Sequence, residues 1–146
     1  MCRSRSSSGN GRLGAPSGRR TAGNRAKTFY ADRLGFTVDH DTRIGDGQRV
    51  VQLTPPGSGC SIVIGEGVVP DLPPGSLRGL QLVVADIVAA HTQLVERGVT
   101  VSEVTAIDGD ATKVAGGSTA LDNVGFVFFD DPDGNGWAVQ QISARA

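Results

Sequence analysis

The sequence predicts an α+β protein made of two successive βαβββ modules, the first of which lacks its opening strand. Two helical segments, each ended by a glycine, are followed by a strand and then by a β-hairpin with proline and glycine in its turn. The same order of elements therefore occurs twice within 146 residues. A strand precedes the helix only in the second module, since Arg, Ser and Gly fill the corresponding part of the first.

In the first module, apolar residues recur at helical spacing between Arg25 and Leu34 and predict a helix there. Asn24 is expected to cap this helix, and Gly35 to end it. A strand then starts at Gly35-Phe36-Thr37-Val38. The β-rich run Val50–Ile64, interrupted by Pro and Gly, predicts the hairpin that follows.

The second module opens with an apolar strand, Leu77–Ala85. A helix follows from Asp86 to Arg97, and Gly98 is expected to end it and to open the strand Gly98-Val99-Thr100-Val101. The hairpin spans Phe126–Gln140. A long loop, Asp108–Asp122, separates this hairpin from the preceding strand and is expected to be either a lid or a surface insertion.

These patterns give the domain limits. Residues 1–23 are predicted to be a disordered basic tail, 24–68 the incomplete first module, 69–76 a linker and 77–143 the second module. Residues 1–27 hold seven basic and no acidic side chains, so the rest of the chain is strongly acidic and is expected to bind neither nucleic acid nor a membrane. No run of about 18 apolar residues occurs. We expect a soluble cytoplasmic protein in which Cys2 and Cys60 are reduced.

Two motifs carry a resemblance to a known family. The first helix ends in Phe29-Tyr30-x-x-x-Leu34-Gly35-Phe36, and the second hairpin turns at Asp131-Pro132-Asp133-Gly134-Asn135. With the paired modules, these motifs resemble the vicinal oxygen chelate superfamily of glyoxalase, bleomycin-resistance and extradiol-dioxygenase proteins. The resemblance implies curved sheets that enclose a pocket, and helices on their outer faces. It also implies a homodimer.

The metal ligands of this superfamily do not carry over to the sequence. The resemblance places them at Gly79, at Ile62 or Val63, and at Ala138, and none of these side chains can coordinate a cation. The fourth position would lie on the missing strand. The two histidines, His40 and His91, are expected on an outer strand and against the back of a sheet. We therefore predict no metal, no cofactor and no catalytic residue.

Strand alternation predicts what lines the inner face instead. The predicted ligand-binding residues are three amides and two aromatic rings: Gln52, Gln81, Gln140, Phe126 and Phe128. Such a surface suits a small aromatic or uncharged organic ligand, held without chemical change. Two alternatives stay open: the glutamines satisfy one another across a closed core, or the chain is a metal-dependent enzyme of the superfamily, a glyoxalase-type lyase or an extradiol-type dioxygenase. A module without any ligand is a further possibility.

Three other residues or motifs are given structural interpretations. Trp137 alternates away from the inner face and is expected in the core. Cys60 is expected to be at least half-buried. Asp131-x-Asp133-x-Asn135 resembles half of a calcium loop, but Ile142 stands where a bidentate Glu is required, so a turn is the preferred interpretation.

Overall fold

The computed structural model describes residues 17–67, 72–108, 111–114 and 120–144. Most of the predicted tail, and residues 69–71 of the predicted linker, lie outside the described residues. The described residues form two compact units, one from Ser17 to Leu77 with the turn Asp131–Asn135, the other from Arg78 to Asp130 with 136–144. This mixture of two helices and two sheets confirms the α+β class. The module limits inferred from the repeat stay predictions.

The first unit contains one helix and a three-stranded antiparallel sheet. Its elements are α1 (Ser17–Thr28), one π-helical turn (Phe29–Arg33), β1 (Thr37–Arg43), β2 (Arg49–Thr54) and β3 (Ile62–Glu66), and the strands lie in the order β1-β2-β3. Helix α1 begins before the predicted Arg25, so the assignment of Asn24 as its N-cap is wrong. The Asn24 amide oxygen instead accepts a 2.7 Å hydrogen bond from Nη1 of Arg49.

The predicted end of this helix is confirmed. Gly35 has a φ of 74°, in the left-handed region that glycine enters at little cost. The N–H of Phe36 then donates to the carbonyl of Tyr30 at 2.9 Å. The chain reverses at Gly35, so the ring centroids of Tyr30 and Phe36 lie 5.7 Å apart. Both rings are buried, and they form part of the core of the first unit.

The sheet of the first unit has one buried and one accessible face. Val51 and Leu53 of β2 are buried, and the register places them beside Ile64 and Ile62 of β3, which are also buried. Gln52 alternates to the other face, where it is half-buried. The predicted hairpin is therefore present, with alternation that separates a core face from an accessible one.

The turn Asp131–Asn135 groups with the first unit. Oδ1 of Asp131 accepts hydrogen bonds from the main-chain N–H groups of Asp133, at 2.9 Å, and Asn135, at 2.8 Å. The Asn135 side chain in turn accepts from the N–H of Leu77 at 3.1 Å. These bonds confirm the turn interpretation of the acidic motif.

The second unit is a mixed five-stranded sheet with one helix. Its elements are β4 (Leu80–Val84), α2 (Ile87–Glu96), β5 (Thr105–Asp108), β6 (Ala111–Val114), β7 (Gly125–Asp130) and β8 (Gly136–Gln141), and the strands lie in the order β4-β8-β7-β5-β6. Among the strands that the structure describes here, β4 and β8 form the one parallel pair. Asp86 caps α2 by accepting from the N–H groups of Val88 and Ala89, both at 3.0 Å, and Gly98 follows the helix with a φ of 79°. Both helix limits confirm the prediction.

The strand predicted at Gly98–Val101 is absent from this part of the described chain. Val101 makes a single bridge with Phe129, and pairing stops there. The reason lies in Ser102, whose hydroxyl accepts the N–H of Phe128 at 2.9 Å where a continuing strand would offer a main-chain carbonyl. The predicted loop Asp108–Asp122 is also only partly correct, because Ala111–Val114 pairs with β5 as strand β6.

The core of the second unit lies between its sheet and α2. Val127, Phe129, Trp137 and Val139 are buried side chains of β7 and β8. A Cβ built on Gly125, two residues before Val127, would approach Ile87 of α2 to 3.2 Å, so α2 lies against this face. The rings of Phe129 and Trp137 stack with centroids 6.3 Å apart. Trp137 is therefore a core residue, as expected. No helix in the described ranges is long and apolar enough to cross a membrane.

Candidate functional site

The register of the second unit places four of the five predicted binding residues on one sheet face. Gln81 of β4 pairs with Ala138 of β8, and Ala138 pairs with Phe128 of β7. In the adjacent row, Gln140 of β8 lies between Val83 of β4 and Phe126 of β7. This face is opposite to the one that α2 covers. Phe128 is 41% exposed and Val83 39% exposed, so the face is accessible within its unit.

We call the part of this face over Ala138 the hollow, because the short Ala138 side chain lies there between the longer side chains of Gln81 and Phe128. Neighbouring strands are about 4.8 Å apart, so the Cα atoms of Gln81 and Phe128 are about 10 Å apart on either side of Ala138. The methyl group of Ala138 is much shorter than either neighbouring side chain, and it forms the floor. Near the start of β4, Gly79 is exposed, and no atom lies within 4 Å of the place where its Cβ would be. The two small residues thus leave room on this face for a flat ligand.

One side of the hollow is aromatic. The rings of Phe126 and Phe128 have centroids 6.0 Å apart and planes inclined by only 4°. They alternate with the buried Val127 and Phe129, so strand geometry holds both rings on the accessible face. A stacked pair with one ring 41% exposed offers a rigid apolar surface for another aromatic group.

A chain of amide hydrogen bonds begins at Gln81, on the other side of the hollow, and passes through Gln140 in the adjacent row. Nε2 of Gln81 donates to Oε1 of Gln140. Nε2 of Gln140 donates to the main-chain carbonyl of Asn123 at 2.7 Å. Asn123 has a φ of 67° and its own N–H donates to the carbonyl of Gln141 at 2.8 Å. Asparagine tolerates this left-handed conformation better than other side chains do.

Ser143 and Asp122 fix the segment that contains Asn123. The Ser143 N–H and hydroxyl donate to the two carboxylate oxygens of Asp122, each at 2.8 Å. The hydrogen bond from the main-chain N–H of Ser143 has the larger effect, and together with the bond from the hydroxyl it holds the pKa of Asp122 below its usual value. Sequence reasoning missed Asn123, Asp122 and Ser143 as supports of the site. The signal that the sequence offered was an asparagine two residues before a strand.

The fifth predicted residue, Gln52, lies on the accessible face of the first unit. Its Nε2 donates to Oγ of Ser61 at 3.2 Å, and the hydroxyls of Ser61 and Thr54 are 2.8 Å apart. The Thr54 hydroxyl donates to the carboxylate of Asp39. In the register Gln52 lies between His40, which is exposed, and Val63.

The positions expected for a metal hold no donor side chain. Val63 shares its face with Gln52, whereas Ile62 is buried in the core, so Val63 is the residue equivalent to a ligand. Gly79, Val63 and Ala138 carry no donor atoms, and these side chains do not fit a metal ion. Across the described residues, no three His, Cys, Asp or Glu side chains form a group able to hold one.

Cys60 departs from expectation, since its free thiol is exposed. Strand β3 begins only at Ile62, and Cys60 belongs to the connection before it. There its N–H donates to the hydroxyl of Ser58 at 3.0 Å. This local bond replaces pairing in the sheet and leaves the residue at the surface.

Comparisons with known proteins agree with this architecture. The family model for the Glyoxalase/Bleomycin resistance protein/Dioxygenase superfamily matches residues 21–139. Among solved structures, TnmS3, an antibiotic binding protein from Streptomyces sp. CB03234, is 34% identical, with a TM-score of 0.60 over 82% of this chain and 86% of that one. A glyoxalase/bleomycin resistance protein from the same strain is 34% identical, with a TM-score of 0.59 over 81% and 90% of the two chains. A superfamily member from Sphaerobacter thermophilus DSM 20745 is 27% identical, with a TM-score of 0.62 over 81% and 86%. No curated protein sequence matched the chain.

Proposed function

Because the chain belongs to the glyoxalase/bleomycin resistance protein/dioxygenase superfamily, we propose that it binds a small, uncharged aromatic compound and releases it chemically unchanged. The observation that carries this proposal is the hollow over Ala138, with a stacked Phe126–Phe128 pair on one side and hydrogen-bonded amides on the other. Apolar walls with a few oriented polar groups are typical of small-molecule sites.

The composition of the face supports an uncharged ligand. The six positions in its two central rows hold two phenylalanines, two glutamines, a valine and an alanine, none of which ionises. An ionic ligand would lose hydration there without gaining an opposite charge. A planar aromatic ligand would instead gain stacking against Phe128 and burial of its apolar surface.

Binding without chemical change is supported by the residues that replace a metal-binding set. Gly79, Val63 and Ala138 offer no side-chain donor atoms that could hold a metal ion. The similarity to a protein described as antibiotic binding supports sequestration of a ligand as the role. Gln52 stays a proposed ligand contact, to be tested by its own Gln52→Leu variant.

The proposal includes a cytoplasmic homodimer. An exposed free thiol at Cys60 fits a reducing compartment. Strand β3 is the outer strand of its sheet, whereas β8, its equivalent in the repeat, has a strand on each side. An edge strand is a ready site for pairing with a second chain. Sedimentation equilibrium should give twice the mass of one chain, and a monomer at high micromolar concentration would contradict the dimer.

The binding test uses Nile red, an uncharged aromatic dye whose fluorescence rises in apolar surroundings. The wild-type protein should give a saturable rise, and the dye should be recovered with unchanged mass. Phe128→Ala should weaken binding at least about fivefold, because it removes half of the aromatic wall. Val95→Ala, at a 53% exposed position of α2, is the matched control and should bind as the wild type does. Equal affinity in the wild type and Phe128→Ala would reject this face as the site.

A further inference from the structure

Resting on the proposed function, we propose that the ligand carries a hydroxyl group that donates a hydrogen bond to the amide oxygen of Gln81. Gln81 then determines specificity, because it selects aromatic compounds with a hydroxyl group over their ethers or bare hydrocarbons. The hydrogen bonds of Gln81 and Gln140 have a fixed direction, from amide N–H to carbonyl oxygen, and this direction determines which atom of Gln81 is left for a ligand.

The direction is set at Asn123. A main-chain carbonyl oxygen only accepts hydrogen bonds, so the Gln140 atom that lies 2.7 Å from it must be the amide nitrogen. Oε1 of Gln140 therefore lies toward Gln81, and Gln81 must present its own nitrogen to that oxygen. A rotated Gln81 amide would bring two oxygens into contact.

The anchor itself is fixed by two further contacts. The N–H of Asn123 donates to the carbonyl of Gln141 at 2.8 Å, and the neighbouring Asp122 accepts both hydrogen bonds of Ser143. Each of these contacts joins the segment to the end of β8 or to the residues just after it. The carbonyl of Asn123 is thus held toward the Gln140 amide, and the orientation of both glutamines follows from the backbone.

The amide oxygen of Gln81 is consequently left available to accept a hydrogen bond from a ligand. Oε1 of Gln81 receives no hydrogen bond from the part of the chain that the structure describes, and the Gln81 side chain is exposed on the accessible face. A ligand that displaces water from this oxygen must donate to it or leave it unsatisfied, at a cost. The second N–H of Gln81 also remains available. A hydroxyl group suits both atoms, because it donates and accepts.

The first unit shows the same polarity independently. The Thr54 hydroxyl has one hydrogen and donates it to the Asp39 carboxylate, so the Ser61 hydroxyl must be the donor to Thr54. Gln52 in turn donates its amide N–H to Ser61 at 3.2 Å. Every bond runs toward the carboxylate, and within the described ranges the amide oxygen of Gln52 again accepts no hydrogen bond. In both units, therefore, the anchored amide offers an oxygen.

The spacing of the face is compatible with such a ligand. Gln81 and Phe128 lie on opposite sides of Ala138 in one row of the sheet. A fused aromatic ring placed over Ala138 can contact Phe128 with one edge and direct a hydroxyl on its opposite edge to Gln81. The ring would be held by apolar contact and the hydroxyl by a directional bond.

The test compares three neutral probes: 2-naphthol, 2-methoxynaphthalene and naphthalene. Their dissociation constants are measured by displacement of Nile red from the wild type, Gln81→Leu and Gln93→Leu. We expect the wild type to bind 2-naphthol about fivefold more tightly than either other probe, the value of about one net hydrogen bond. Gln81→Leu should reduce this ratio to about one. Gln93→Leu, which removes an exposed amide from α2, should keep it.

The outcomes separate the two proposals. If naphthalene and its ether bind the wild type as tightly as 2-naphthol, the hydroxyl inference is overturned while aromatic binding stands. A preference for 2-naphthol that persists in Gln81→Leu overturns the role of Gln81. If Nile red does not bind the wild type, the proposed function fails and the inference fails with it. If Nile red binds but 2-naphthol does not displace it, the hydroxyl inference is overturned.

Discussion

Tyr30 donates its phenolic hydrogen to Oδ2 of Asp131 across 2.6 Å, and both residues are buried. The same oxygen accepts a 2.8 Å hydrogen bond from Nδ2 of Asn135, and the other oxygen accepts from the main chain of the turn. A buried carboxylate is costly unless donors surround it. Asp131 meets this requirement, and Tyr30 thereby ties the turn Asp131–Asn135 to the helical segment of the first unit.

Replacing Tyr30 by Phe should destabilise the protein by about 1–3 kcal/mol, because Asp131 would lose a buried donor. Urea unfolding followed by circular dichroism measures the change. The matched control is Thr92→Val, which removes a hydroxyl from the exposed side of α2, where it donates to the carbonyl of Val88 at 3.0 Å. The control should cost well under about 1 kcal/mol. Equal unfolding midpoints for Tyr30→Phe and the wild type would contradict this role.

Asp133, two residues further on, is less well satisfied. Its side chain is only 6% exposed, and its Oδ2 has no hydrogen-bond partner among the described residues. Nη2 of the exposed Arg25 lies 3.6 Å from Oδ1 of Asp133. Burial, followed by the nearby charge of Asp131, raises the pKa of Asp133 from 3.8 to about 6. At neutral pH the fold therefore carries a buried negative charge that it tolerates poorly.

The sign of the resulting pH dependence follows from the raised pKa. The contribution of Asp133 is most favourable below pH 3.8 and is lost as the pH rises through about 6. Asp133→Asn should therefore stabilise the protein at pH 7.5 by about 1–2 kcal/mol and have less effect at pH 5. Urea titrations at both values measure this difference. Asp46→Asn, an exposed control, should shift neither midpoint, and an Asp133→Asn effect that is the same at both pH values would refute the assignment.

Asp41 behaves in the opposite way. The guanidinium of the buried Arg49 donates to both of its carboxylate oxygens at 2.8 Å, and Lys27 lies 2.7 Å away. The hydrogen bond from Arg49, with that from Lys27, holds the pKa of Asp41 well below 3.8. Its stabilising contribution is therefore present above that value and is lost as the pH falls below it.

Asp41→Asn should cost about 1–2 kcal/mol at pH 7, because it removes the negative charge that the guanidinium of the buried Arg49 contacts through two hydrogen bonds. Partial exposure of Asp41 keeps the cost below that of a fully buried pair. Asp32→Asn, on the exposed side of the first helical segment, is the matched control and should change the free energy of unfolding little. If the two variants unfold at the same urea concentration, the ion pair does not stabilise the fold.

Filling the hollow should weaken binding strongly without unfolding the protein. Ala138→Leu places a branched side chain on the floor between Gln81 and Phe128, on the accessible face, so we expect Nile red affinity to fall at least about tenfold. Ala89→Leu adds the same volume at an exposed position of α2 and should not change affinity. The midpoint of thermal unfolding, measured for both variants, checks that the fold is kept. Unchanged affinity in Ala138→Leu would place the ligand elsewhere.

Local rules predicted much of the fold. Gly35 and Gly98 end helices because the left-handed conformation costs them little, and Asp86 caps a helix with its own side chain. Alternation along β7 and β8 also put Phe126, Phe128 and Gln140 on one face and Trp137 on the other. Each of these features depends on residues close in sequence or on the period of a strand.

Contacts between distant parts of the chain were not predictable in this way. Asn24 has the side chain of an N-cap, but its hydrogen-bond partner is Arg49, 25 residues later in the chain, and helix-capping rules do not indicate such a partner. The support of Gln140 by Asn123, and of Asn123 by the residues around Ser143, likewise joins segments from two sides of a hairpin. Ser102 ended a predicted strand through a side-chain bond to Phe128. Such bonds become visible only when the register is known.

The turn Asp131–Asn135 belongs to the first unit although it lies far from the rest of that unit in the sequence. A shortened chain that stops at Leu77 would lack the carboxylate that Tyr30 binds and the amide that holds the Leu77 N–H. The remaining fragment would carry this turn without its buried partners. The chain up to Leu77 therefore does not complete the first unit by itself, because a turn from much later in the sequence supplies two of its buried polar side chains, Asp131 and Asn135.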